Sequence, residues 1–100
     1  MKKIISIIIL VVVFSTVILL TSNSEKDTIE IGAVLSLTGD ASVDGENIKK
    51  GIEFARKDLL KQGIDLKVTY EDDQTQPAKT VSSVKKIHDV DGIDVIIGPT

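Results

Sequence analysis

The densest group of chemistry-bearing side chains is Glu71-Asp72-Asp73. Adjacent carboxylates can bind a cation or exchange protons with a substrate. The run lacks EF-hand spacing, however, and its plainer use is favourable charge near the start of the helix expected after it. A second group is rich in hydroxyls: Ser36-Leu37-Thr38-Gly39-Asp40-Ala41-Ser42, with Asp44 just beyond. Hydroxyls and free helix N–H groups can hold a polar or anionic solute group. Ser42 and Asp44 serve equally well as helix N-caps, Ser36 and Thr38 as partners for loop backbone, and Gly39 as a turn residue. The third group is Gly98-Pro99-Thr100, where a ligand can approach the backbone closely or a strand can simply turn. His88 is the only histidine and sits beside Lys85 and Lys86, which reads as a polar surface position near a helix end. These residues assemble no metal site, no nucleophile–base pair and no phosphate loop. The spacing of Gly39 and Gly45 is not that of Gly-x-Gly-x-x-Gly, and Gly-Lys-Ser/Thr is absent. Neither an enzyme nor a cofactor is expected.

The elements that must position these groups follow from periodicity. Thr28 to Leu35 predicts a strand. Ile48, Ile52, Ala55 and Leu59 mark one face of a helix from about Val43 to Gln62. Gly51 lies on or beside that face, where a missing side chain would let the helix approach a sheet, and Gly63 supplies the stop. Ile64 to Glu71 alternates as a strand with one wet face, which suits a sheet edge. Pro77 suits the first turn of a second helix running to about Asp89, with Ala78, Val81, Val84 and Ile87 facing inward. Ile93 to Ile97 is a continuous apolar run, the pattern of a strand buried on both faces. The expected fold class is α/β, a β-α-β-α-β start of a mostly parallel three-layer α/β/α sheet with strand order 2-1-3. In that order the third strand is a bare apolar edge, so the chain reads as the N-terminal piece of a longer protein. Ligands of open parallel sheets bind beyond the strand C-termini, where strand order reverses. Here that point lies between the first and third strands, and the acidic run, following the outer strand, is expected to lie away from it.

Ahead of this pattern, Lys2 and Lys3 precede an uncharged run from Ile4 to Leu20 and a polar stretch from Thr21 to Asp27. This is the layout of a secretory signal or a membrane anchor. The run would make a helix of roughly 25 Å, between signal cores and full spans of about 30 Å. Ser22-Asn23-Ser24 is the nearest small-residue cleavage signal. The division is therefore residues 1–24 as signal peptide or anchor and 25–100 as an incomplete α/β lobe. With no cysteine, lipid modification of an N-terminal cysteine and disulfides are both excluded. Removing Lys2 and Lys3 from the net charge of −3 leaves −5, which disfavours nucleic-acid binding.

From Thr28 to Thr100 the chain resembles the periplasmic binding proteins of the branched-chain amino acid type, the leucine/isoleucine/valine-binding proteins of ABC importers. The resemblance is carried by Ile31-Gly32-Ala33-Val34-Leu35-Ser36-Leu37-Thr38-Gly39-Asp40, Gly45-Glu46 and Gly51-Ile52-Glu53-Phe54-Ala55. Tyr70-Glu71-Asp72-Asp73-Gln74, Pro77-Ala78-Lys79 and Asp94-Val95-Ile96-Ile97-Gly98-Pro99 continue it. It implies two α/β lobes that close on a small solute, an extracytoplasmic location and ABC permease subunits as membrane partners. It also implies that a hydroxyl-bearing loop starting at about Gly98-Pro99-Thr100 clamps an amino-acid carboxylate. Taken with the loop chemistry, the expected ligand-binding residues are Ser36, Thr38, Asp44, Pro99 and Thr100. Two departures stand out. Asp44 replaces an aromatic residue that touches ligand in many relatives, which points toward a cationic or hydroxyl-rich solute, although helix capping explains Asp44 equally. Lys61-Gln62-Gly63 is shorter than the family's usual Gly-Gly segment. The expected function is solute binding for an ABC importer, with an amino acid or amide as solute. The alternative is a membrane-tethered sensory domain of the same fold, and a downstream signalling domain would distinguish the two.

Overall fold

The computed structural model describes residues 1–21 and 27–100, with side chains described for residues 1–17 and 27–100. The boundary expected at residue 24 and the Ser22-Asn23-Ser24 signal lie outside the described residues. Helix α1 spans Lys2–Thr21. Its hydroxyls turn back on the preceding turn: Ser6 Oγ donates to Lys2 O, Ser15 Oγ to Val12 O, and Thr16 Oγ1 to Val12 O and Val13 O. Among the described residues no helix is long and apolar enough to cross a membrane.

After α1 come β1 (Thr28–Leu35), α2 (Ser42–Lys61), β2 (Asp65–Asp72) and α3 (Pro77–Lys85). A π-helical turn (Lys86–Val90) and β3 (Ile96–Ile97) complete the order. The strands form one parallel sheet in the order β2-β1-β3. The expected alternation and strand order are both present, and the first and third strands lie side by side in parallel. Gly32 and Val34 of β1 face Ile87 at the end of the α3 segment, and Val34, Ile87 and Ile93 form the buried core there. Ala33 is the register partner of Tyr70, whose hydroxyl reaches Glu53 of α2. Side chains alternate across a strand, so α2 and the α3 segment cover opposite faces, giving the three-layer arrangement. Gly32 is required by close packing, since a Cβ there would sit 2.6 Å from Ile87 Cγ2.

Several local expectations change. Gly51 is exposed, and nothing lies within 4 Å of a Cβ added to it. The close approach is made nearly two turns earlier by Gly45, where a Cβ would stand 2.0 Å from Ser36 O. Helix α2 therefore pivots on its first turn and is rotated relative to the apolar stripe. Ile52 and Leu59 are half-buried, while Ile48 and Ala55 are exposed. The space over the sheet is taken by long polar side chains instead. Glu53 accepts from Tyr70 Oη at 2.8 Å and from Arg56 Nε at 3.0 Å, and Lys49 Nζ lies 5.2 Å from the Tyr70 ring centroid. Helix α2 has Ala41 as its N-cap without a side-chain cap bond, so neither Ser42 nor Asp44 caps it. Asp44 contributes only favourable charge in the first turn.

The inward face of α3 is Thr80, Ser83 and Val84, continued by Ile87; Ala78 and Val81 are exposed. Pro77 does stand at the start of the helix, as read from its missing N–H. The helix widens at its end, where Asp91 N donates to Lys86 O and Ile93 N to Ile87 O. This holds Ile93 under Ile87 as a core residue, so only Ile96 and Ile97 are left to pair as β3. Val95 is 60 % exposed and Ile97 38 %. The third strand is thus the bare edge expected from the order 2-1-3, but its faces are not both buried. His88 is an exposed surface residue between Asp89 (2.8 Å) and Asp94 (3.5 Å), and the Asp89 hydrogen bond raises its pKa above the usual imidazole value.

The Tyr70 hydroxyl is held protonated by partial burial and by donation to Glu53, while the same bond and Arg56 hold Glu53 below the usual carboxylate range. Tyr70→Phe is expected to lower stability by about 1 kcal/mol, the usual net value of such a bond. Urea denaturation reads this as a shifted midpoint at unchanged slope.

Candidate functional site

Parallel pairing places the C-terminal ends of neighbouring strands side by side, and the register puts Leu35 opposite Asp72. The loop after β1 and the loop after β2 therefore meet, which the linear sequence did not reveal. Asp72 Oδ1 accepts from the N–H groups of Leu37 (3.0 Å), Thr38 (3.2 Å) and Gln74 (2.9 Å), and its Oδ2 accepts from Thr38 Oγ1 (2.7 Å). Asp73 is only 2 % exposed. Its Oδ1 accepts from Ser36 Oγ (2.6 Å) and Thr75 N (3.0 Å), and its Oδ2 from Thr80 Oγ1 (3.0 Å). Thr75 Oγ1 accepts from Ala41 N at 3.1 Å and donates to Thr38 O at 3.3 Å, closing the two loops on each other. Gln74 and Thr75 both hold positive φ, 54° and 57°. Such left-handed residues cost about 1 kcal/mol or more each, and the two carboxylates hold them by bonding their N–H groups. Gly39, with φ 87°, is required beside them, because a Cβ would lie 2.6 Å from Gln74 O.

The acidic run is thus neither away from the point where strand order reverses, since Asp73 shares a hollow with Pro99 and Thr100, nor merely a source of helix-terminal charge. Asp72 and Asp73 are the acceptors around which the rim is built. Burial on its own pushes both carboxyls up. For Asp72, bonds from Thr38, Gln74 and Leu37 outweigh it; for Asp73, bonds from Ser36, Thr75 and Thr80 do. Both are held below the usual carboxylate range. Glu71 points to the opposite face and pairs with Lys86. Among the described residues, no group of three or more His, Cys, Asp or Glu side chains could hold a metal ion.

The third part of the rim is the segment after β3. Gly98, with φ 105°, packs on β1, where a Cβ would stand 2.1 Å from Val34 O. This brings Thr100 over Ser36, whose N–H donates to Thr100 Oγ1 at a long 3.4 Å. An open hollow of about 430 Å³ lies here, lined by Asp73, Thr75, Pro77, Thr80, Val81, Pro99 and Thr100. Of the five residues read from the sequence, Pro99 and Thr100 line the hollow and Ser36 lies buried directly beneath it. Thr38 stands on the adjoining rim with its hydroxyl turned to Asp72, and Asp44 is exposed on the first turn of α2, outside the hollow. Thr75, Pro77, Thr80 and Val81 were missed. The signal for them is positional: they follow a strand whose parallel neighbour ends in the hydroxyl loop. A larger hollow of about 660 Å³ runs along Thr28, Glu30, Asp65 and Lys67 at the other end of the strands. Its charges are spent on cross-strand pairs such as Lys67–Glu30 at 3.0 Å, and ligands of open sheets bind at the carboxyl ends.

A family model described as periplasmic binding protein matches residues 28–100. The chain belongs to the periplasmic binding protein family. Among solved structures, it is similar to the branched-chain amino acid transporter substrate binding protein LivJ from Streptococcus pneumoniae, solved with isoleucine. That match has 21 % identity and a TM-score of 0.68, covering 73 % of this chain and 22 % of the other. A possible leucine/isoleucine/valine-binding protein from Rhodopirellula baltica matches at 22 % identity and a TM-score of 0.70, covering 78 % of this chain and 22 % of the other. An ABC transporter substrate-binding protein from Sphaerobacter thermophilus matches at 28 % identity and a TM-score of 0.63, covering 74 % and 20 %. The chain spans about a fifth of the length of these structures. No curated protein matches significantly.

Proposed function

We propose that this chain supplies part of the first lobe of an extracytoplasmic solute-binding protein of an ABC importer, which holds a small amino acid or amide between two lobes. The observation that carries the reading is the hollow beneath Pro99 and Thr100, at the carboxyl ends of the strands. Its walls are mostly apolar, from Pro77, Val81 and Pro99, and the Thr100 hydroxyl is the polar group they offer, since those of Thr75 and Thr80 already donate to Thr38 O and Asp73. That mixture suits a solute with one polar head and one apolar portion better than a fully charged one. Asp44 lies outside the hollow, so the cationic preference drawn from it loses its main support. Affinity would come from closing the second lobe over the polar head, excluding water from its hydrogen bonds.

Thermal-shift titration of the intact protein against the twenty L-amino acids, their amides and urea tests this. A cognate solute at a hundred times its Kd stabilises by about 2.7 kcal/mol, a rise of several degrees that saturates with concentration. Saturable stabilisation by one chemical class is the expected result. Absence of stabilisation across the whole panel would overturn the reading.

A further inference from the structure

We propose that Asp73 is a positioning residue for the solute site, acting through Ser36 to set which way the Thr100 hydroxyl presents its proton. This rests on the solute-binding reading above. Ser36 is fully buried; its hydroxyl lies 2.6 Å from Asp73 Oδ1 and 3.5 Å from Thr100 O, and the short contact to the carboxylate takes its proton. The bond fixes the Ser36 peptide, whose N–H points at Thr100 Oγ1. A hydroxyl oxygen that accepts from an N–H keeps its own proton to donate elsewhere. Thr100 lines the hollow and is exposed, so a proton left free on its hydroxyl is a donor suited to a carboxylate or carbonyl oxygen of the solute. Thr80 and the Thr75 N–H occupy the remaining positions on Asp73, which leaves the carboxylate one arrangement. Asp73 stands in the wall of the hollow but is only 2 % exposed, and its oxygens are taken by Ser36, Thr75 and Thr80. The sequence offered it as favourable charge near the start of a helix, whereas in the fold it anchors Ser36 beneath Thr100.

The test uses the intact protein, with Tyr70→Phe as a control that loses stability where β2 meets α2 without touching the rim. Amide hydrogen exchange without ligand is measured first. Asp73→Ala is expected to speed exchange at Ser36 at least tenfold more than at Val34 of the adjoining strand β1, which shares any global loss of stability, and the control is expected to speed both alike. Isothermal titration with whichever amino acid of the panel binds most tightly follows. Asp73→Ala and Ser36→Ala are both expected to weaken binding about tenfold. Asp73→Asn, whose amide oxygen still accepts from Ser36, should retain most of the affinity, and the control should retain all of it. If Asp73→Ala fails to fold, Ser36→Ala carries the same comparison. Exchange at Ser36 and affinity no different from the control in both variants would overturn the proposal. If no amino acid binds the unsubstituted protein, the solute-binding reading fails by itself, and Ser36 exchange alone then decides whether Asp73 positions the rim.

Discussion

Gly45→Ala is expected to destabilise the protein by roughly 3 kcal/mol, because one added carbon must displace a backbone carbonyl. The ideal Cβ position is 2.0 Å from Ser36 O and 2.6 Å from its carbonyl carbon. No rotamer change relieves such a contact. Either α2 lifts from the sheet at its first turn or the Ser36 peptide moves. The second route disturbs the bond from Ser36 to Asp73 and the seat of Thr100, so solute affinity should fall with stability. Gly51→Ala is the matched comparison. It lies on the same helix, exposed and with open space around it, and only helix propensity changes, favouring alanine by about 1 kcal/mol. Urea denaturation of both variants measures the contrast. Equal midpoints would show that α2 does not rest on Ser36.

Acid is the second sensitive condition. The folded pKa values of Asp72 and Asp73 lie below their unfolded ones, so folding favours the ionised forms. The stabilisation is present above the unfolded value near 3.9. It is lost as pH falls from about 5 through the lowered folded values. Asp73→Ala removes the acceptor for the Ser36 and Thr80 hydroxyls and the Thr75 N–H. Leaving buried donors unmatched costs about 1–3 kcal/mol each, partly relieved by water, and a total near 3 kcal/mol at neutral pH is expected. Asp73→Asn should lose less and show a shallower fall between pH 5 and 3, because one titrating group is gone. Melting temperature against pH checks both. An acid limb for Asp73→Asn as steep as that of the unsubstituted protein would remove Asp73 from the explanation.

These effects separate what periodicity could reveal from what it could not. The strand at Thr28–Leu35, the proline-led second helix, the parallel class and the order 2-1-3 were all legible, because each depends on local spacing and on the handedness of β-α-β connections. Helix rotation was not. The stripe of Ile48, Ile52, Ala55 and Leu59 gave α2 an apolar side, but its seating was decided by the backbone contact at Gly45 and by Tyr70 engaging Glu53. The extent of the third strand was likewise set from outside, by Ile93 being drawn into the core under Ile87.

The site divides in the same way. Sequence alone determined that hydroxyl-bearing loops follow the first and third strands, since strand ends are marked by where alternation stops. It could not determine that Asp72 and Asp73 belong with them. That follows from two strands, 37 residues apart in register from Leu35 to Asp72, ending level with each other. A carboxylate's use depends on which N–H and O–H groups the fold brings within about 3 Å of it, and those partners are distant along the chain.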